Sequence, residues 1–129
     1  MANEAQPAHG QICWNELMTP NAQGAEKFYG ELFGWKAKAT PMGDFTYHML
    51  SAGGKDFGGI MPMTGPMWQG VPPHWMMYVA VADVDAAAKK VVELGGKVCV
   101  PPTDIPVGRF AVVNDPQGAT FSLFQFRAQ

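Results

Sequence analysis

What most constrains this chain is that its second half repeats the pattern of its first. After Thr19-Pro20-Asn21, residues Ala22, Ala25, Phe28, Tyr29, Leu32 and Phe33 recur at the three- and four-residue steps of one helical face, and Gly34 stops the run. A second run starts at Asp83, carries Val84, Ala87, Ala88, Val91 and Leu94, and ends at Gly95-Gly96. With Asn21 laid on Asp83, a shift of 62 residues (83 − 21), Ala25 falls on Ala87, Glu31 on Glu93, Leu32 on Leu94 and Gly34 on Gly96. A register kept through a helix and its stop signal marks an internal repeat. Thr19 is the expected cap of the first helix, with Pro20 at its first position and Gly34 as a left-handed C-cap.

The segments around the helices repeat as well. Apolar, half-alternating stretches precede them, Gln11 to Met18 and Trp75 to Ala82, and three β-prone runs follow each. These are Trp35 to Ala39, Phe45 to Leu50 and Phe57 to Met61, then Lys97 to Val100, Arg109 to Asn114 and Ala119 to Phe126. Asp115-Pro116-Gln117-Gly118 has the residues of a tight turn between the last two strands. Gly53-Gly54 and Gly58-Gly59 are also read as turns, since neither opens a helix with the Lys-Ser or Lys-Thr of a phosphate loop. The Gly- and Pro-rich stretch 64–73 reads as a linker between module 1, about 10–63, and module 2, about 74–127, within one domain spanning 1–129. The fold class expected is α+β: two β-α-β-β-β modules pairing into one eight-stranded cup, with a helix on the outer face of each.

Composition narrows the function classes. Hydrophobic residues make up 47% and charged ones 16%, which suits a globular chain and not a disordered one. Nine basic against eleven acidic side chains, with no basic run, leave no footprint for nucleic acid. No apolar stretch approaches the ~18 residues of a membrane span and no h-region follows basic residues near Met1, so the expectation is a cytoplasmic protein that uses no membrane. Cys13 and Cys99 lie far apart without metal-finger spacing and read as small packed side chains.

Four segments in the same order resemble the vicinal oxygen chelate superfamily, which includes glyoxalase I, bleomycin-resistance proteins and extradiol dioxygenases. They are Trp14-Asn15-Glu16-Leu17, Lys27 through Trp35, Asp83-Val84-Asp85-Ala86-Ala87 and Asp115-Pro116-Gln117-Gly118, and the likeness is to the glyoxalase-like branch. In metal-using members of the superfamily, His, Gln or Glu on the first and last strand of each module face the cup. Carried over, those places fall on Trp14, Met76, Ser122, and Pro62 or Met63. Indole, thioether and proline cannot replace imidazole and carboxylate around zinc, nickel or iron, so no metal and no other cofactor is expected at the inherited site. A shifted divalent-metal site remains as the alternative, because Glu16 lies two residues from Trp14 and His74 two from Met76, on the same strand faces.

Alternation gives the cup face Trp14, Glu16, Met76, Tyr78, Ser122 and Phe124, with Tyr47 or His48 from the middle strand according to register. This set reads as an aromatic pocket with a few polar handles, or else as side chains that fill the cup. Glu16 is the candidate base, since a carboxylate among Trp14, Met18 and Met76 would be desolvated, and His48 is a second candidate. The other reading of Glu16 pairs it with Arg109 or a lysine. His74 and, in the linker, Trp68 complete the candidate ligand-binding residues; Met67-Trp68 reads as a lid, a subunit contact or a packed connector. The functional expectation is a protein that binds a small apolar or aromatic molecule without the metal. The alternatives are a glyoxalase-like lyase, isomerase or dioxygenase using Glu16 or a shifted metal, and an interaction module with a closed cup. The resemblance allows either a homodimer or a monomer.

Overall fold

A computed structural model describes residues 6–127. The elements run β1 (Ile12–Thr19), α1 (Ala22–Phe33), β2 (Lys36–Met42), β3 (Phe45–Ala52), β4 (Lys55–Pro62), a single 3-10 turn (Pro66–Trp68), β5 (His74–Ala80), α2 (Val84–Glu93), β6 (Lys97–Ile105), β7 (Gly108–Asn114) and β8 (Thr120–Phe126). Each half is the expected β-α-β-β-β module in an α+β chain. The strand order is β2-β3-β4-β1 in the first and β5-β8-β7-β6 in the second. In both modules the first and last strands pair in parallel, β1 with β4 and β5 with β8, and the other neighbours are antiparallel hairpins.

Local chemistry explains the elements and corrects some expectations. The cap of α1 is Asn21, not Thr19: the Asn21 side chain accepts from the Gly24 amide at 2.9 Å, while Thr19 Oγ1 accepts from the Asn21 amide. Asn is at least as good a cap as Thr, and Pro20 thereby falls outside the helix. Gly34 closes α1 at φ 77°, the left-handed conformation foreseen for it. Asp83 caps α2 in the matching place, accepting from the Ala86 amide. The turn at Asp115 is tied by the Gln117 and Ala119 amides, both donating to Asp115 Oδ1. Strands β2 and β6 run on through Pro41 and through Pro101-Pro102, where the sequence reading stops them. Both are outermost in their modules, where a missing amide breaks no inner ladder, and the β6–β7 register shifts around the prolines. Gly53-Gly54 forms the β3–β4 turn, but Gly58-Gly59 lies inside β4.

By contacts the chain divides into two compact units, Trp14–Met76 and, together, the described residues up to Cys13 and from Met77 onward. In the first, Leu17, Leu50 and Ile60 are buried beneath Ala22, Ala25 and Tyr29 of α1, with Trp35 and Phe57 alongside. In the second, Val84, Ala111, Val113 and Leu123 form the core under α2. The second unit also includes the approach to β1: the Gly10 amide donates to the Ala80 carbonyl and the Ala80 amide to the Gln11 carbonyl.

Candidate functional site

In the first unit, opposite the helix-covered face, three predicted residues join in one hydrogen-bonded chain. Trp14 Nε1 donates to the Tyr47 hydroxyl at 2.9 Å, and that hydroxyl donates to Glu16 Oε2 at 2.7 Å. Glu16 and Tyr47 are buried and Trp14 is half-buried. β1 supplies Trp14 and Glu16 from positions two apart, hence from one face of the strand. Tyr47 comes from β3, two strands away, and reaches Glu16 across the intervening β4.

That reach depends on Gly59, which the register sets beside Glu16 on one side and Met49 on the other. A side chain there would collide with the ring and hydroxyl of Tyr47. The sequence reading missed Gly59 by assigning it to a turn. A glycine within a β-prone run is the signal of close approach that could have found it.

Burial, first, pushes the Tyr47 phenol above its ordinary range, and the negative Glu16 beside it, together with the hydrogen bond it gives Glu16, adds to the rise; the Trp14 N–H acts the other way. Tyr47 is therefore a neutral donor throughout the physiological range. Since an indole N–H only donates and a carboxylate only accepts, all donation in the chain runs one way and ends on Glu16.

The choice between Tyr47 and His48 is thereby made. His48 points to the opposite face, where its Nδ1 meets the Glu26 carboxylate of α1. Arg109, offered as a partner for Glu16, instead holds Asp85 through two bonds and Asp104 through one. Met76 is buried in the first unit. His74 sits at the start of β5 with Nδ1 2.9 Å from the Pro72 carbonyl, which can only accept, so this nitrogen carries the proton. Trp68 is half-buried in the 3-10 turn, next to an exposed Met67.

In the second unit Tyr78 pairs with the fully buried Ser122, and the Tyr78 ring meets Phe124 edge-on at 6.3 Å. Cys13 donates to the Tyr78 carbonyl, and burial pushes its thiol up, away from reactivity.

The repeat supplies an internal control. Strand pairing makes Glu16 equivalent to Tyr78, Gly59 to Ser122 and Met49 to Val112, and therefore Tyr47 to Phe110. On the helix side Glu26 and His48 correspond to Ala88 and Ala111, both buried. The second module thus forms the same topology with Tyr78, Ser122, Phe110, Ala88 and Ala111 at these places, none of them an acid or a histidine.

The places where the resemblance implies metal ligands hold an indole, a thioether, a hydroxyl and a proline or thioether, which do not fit a hard or borderline divalent ion. Among the described residues no group of three or more His, Cys, Asp or Glu side chains gathers as a metal would need, so Glu16 and His74 have no third donor of that kind.

A sequence model of the Glyoxalase/Bleomycin resistance protein/Dioxygenase superfamily matches residues 11–123. The chain is 43% identical over 118 residues, 90% of its length, to a Mycobacterium tuberculosis protein named "Putative glyoxylase CFP32", of which it covers 44%. It is 36% identical over 120 residues, 92% of its length, to the anthracycline biosynthesis protein DnrV of Streptomyces peucetius, of which it covers 42%. The chain therefore spans less than half the length of these curated relatives. Among solved structures it resembles the methylmalonyl-CoA epimerase of Mycobacterium tuberculosis, with a TM-score of 0.66 at 12% identity over 99% of this chain and 97% of that one. A methylmalonyl-CoA epimerase in complex with methylmalonyl-CoA and NH4+ has a TM-score of 0.67 at 18% identity over 94% and 97%. No helix among the described residues is long and apolar enough to cross a membrane.

Proposed function

Because the chain belongs to the glyoxalase/bleomycin resistance protein/dioxygenase superfamily, we propose that it binds a small apolar or aromatic molecule on the first-module face carrying Trp14, Glu16 and Tyr47, without the metal used by other members. The observation that carries this reading is the buried Glu16 carboxylate, held by Tyr47 on a face otherwise rich in aromatic and thioether groups. Burying a carboxylate costs several kcal/mol unless it is compensated, and the second module shows that the strands pair with no acid at that position. By alternation Met18, Met49 and Met61 share the face with Trp14 and Tyr47, and thioethers adapt to varied apolar guests. A structural neighbour described in complex with methylmalonyl-CoA supports a fold able to hold a small organic ligand.

The experiment is titration of planar aromatic compounds into protein before and after chelator treatment, followed by tryptophan fluorescence, with metal content measured by mass spectrometry. Expected are quenching that chelator leaves unchanged and that Trp14→Phe diminishes, and no stoichiometric metal. Binding that disappears on chelation and returns with one divalent ion would overturn the metal-free reading.

A further inference from the structure

In the second unit, the segment before Gly10 is tied to the end of β5 by the bonds of Gly10 and Gln11 to Ala80. It bounds a cleft of about 380 Å³ together with the ends of β5 and β8. Pro7, Val81 and Phe126 give the cleft apolar walls, and Gln6, His9 and Gln125 are its side chains with polar groups. The volume lies within the range of small-molecule sites, roughly 300–1,000 Å³.

Each of the three polar side chains has one end committed to a backbone group, which determines what the other end offers. The Val84 amide can only donate and gives its proton to Gln125 Oε1 at 2.8 Å, so Gln125 presents its NH2 group. The Ala82 amide donates to His9 Nδ1 at 3.0 Å, so the ring proton of His9 sits on Nε2, a second donor. Gln6 is committed the other way: its Nε2 donates to the Arg127 carbonyl at 3.3 Å and its oxygen is left to accept. No Lys or Arg is among the described residues lining the cleft. The start of α2 is not an anion socket either, because Gln125 holds the Val84 amide and the Asp83 carboxylate holds that of Ala86. The repeat again acts as a control. With Ser122 equivalent to Gly59, Gln125 matches Pro62, so a β-α-β-β-β module does not need an amide side chain at this place.

We infer that this cleft binds an uncharged carboxamide carried on a small apolar body. Its carbonyl accepts from Gln125 Nε2 and His9 Nε2, and its N–H donates to Gln6 Oε1. A carboxylate of the same shape brings no donor for Gln6 and meets no cation.

The test titrates benzamide, acetophenone and benzoate into the full ¹⁵N-labelled chain and follows amide shifts by NMR. The Ala82 and Val84 amides and the Gln125 side-chain NH2 report on this cleft, while the Trp14 indole N–H reports on the first-module face. Expected are saturable benzamide shifts at the three cleft reporters, with benzamide bound roughly threefold or more tightly than acetophenone, the scale of one neutral hydrogen bond, and benzoate weakest. Gln125→Glu keeps an oxygen for Val84 but removes the donor, and weakens benzamide by about threefold or more. Benzamide shifts absent from the cleft reporters, or confined to Trp14, would overturn the site. Acetophenone binding as well as benzamide, or benzoate binding best, would overturn the carboxamide assignment. The wild-type comparison decides this even if the variant does not fold.

Discussion

Replacing Gly59 with alanine is the sharpest perturbation of the acid chain, because it adds one methyl group at a point where the backbone is unstrained and the obstacle is a single side chain. The methyl collides with the ring and hydroxyl of Tyr47, so the ring swings away and both its hydrogen bonds break. The bond to the Glu16 carboxylate is worth about 1.5–3 kcal/mol and that from Trp14 about 0.5–1.5. Alanine recovers about 0.5–1 kcal/mol of backbone entropy relative to glycine in a strand. The net cost is about 1–4 kcal/mol, or roughly 3–16 °C in Tm for a chain of this size. Urea unfolding measures it, and the decisive comparison is the same substitution in a Tyr47→Ala background. There no ring stands in the way, and Gly59→Ala should be neutral within about 0.5 kcal/mol or slightly stabilising. Equal costs in the two backgrounds, or no cost in wild type, would refute the claim that Gly59 exists for Tyr47.

Two further outcomes follow from the same geometry. The folded state raises the Tyr47 pKa, so it holds that proton more tightly than the unfolded chain; the associated stability is present below the ordinary tyrosine value near 10 and is lost as pH climbs above it. Urea midpoints between pH 8 and 11.5 should fall at the alkaline end, and Tyr47→Phe should flatten that fall; an unchanged slope in the variant would assign it elsewhere. On the helix side, Glu26→Ala or His48→Ala alone should cost about 1–3 kcal/mol by leaving the other partner without its mate. The double variant, which reproduces Ala88 and Ala111 of the second module, should cost less than the sum of the two, measured as a double-mutant cycle; strict additivity would mean the pair is not coupled.

The repeat made the architecture legible before any coordinates, because helix periodicity and the stop glycines are local signals that survive in both modules. Strand ends were less legible: Pro41 and Pro101-Pro102 argue against strand in general, and only knowledge that β2 and β6 are outermost lifts the objection. In the site, Trp14 and Glu16 were legible because alternation along β1 needs no partner. Tyr47 could be placed only as one of two choices, since a one-residue register change exchanges it with His48. Gly59 and Glu26 were invisible for one reason. Their roles are defined by side chains more than ten residues away, Tyr47 and His48, and a single sequence shows neither which strand lies between nor which helix residue lies beneath.

The way the chain is apportioned between its two units bears on how it folds. Trp14–Met76 is one uninterrupted stretch, whereas its counterpart joins the segment ending at Cys13 to the one starting at Met77. The uninterrupted unit needs only contacts within itself and can organise while the rest of the chain is still emerging from the ribosome. The divided unit must close a loop of some seventy residues before Gly10 and Gln11 can bond to Ala80. In a pulse-labelling hydrogen exchange experiment, amides of β3 and β4 should therefore acquire protection before those of Gly10 and Ala80.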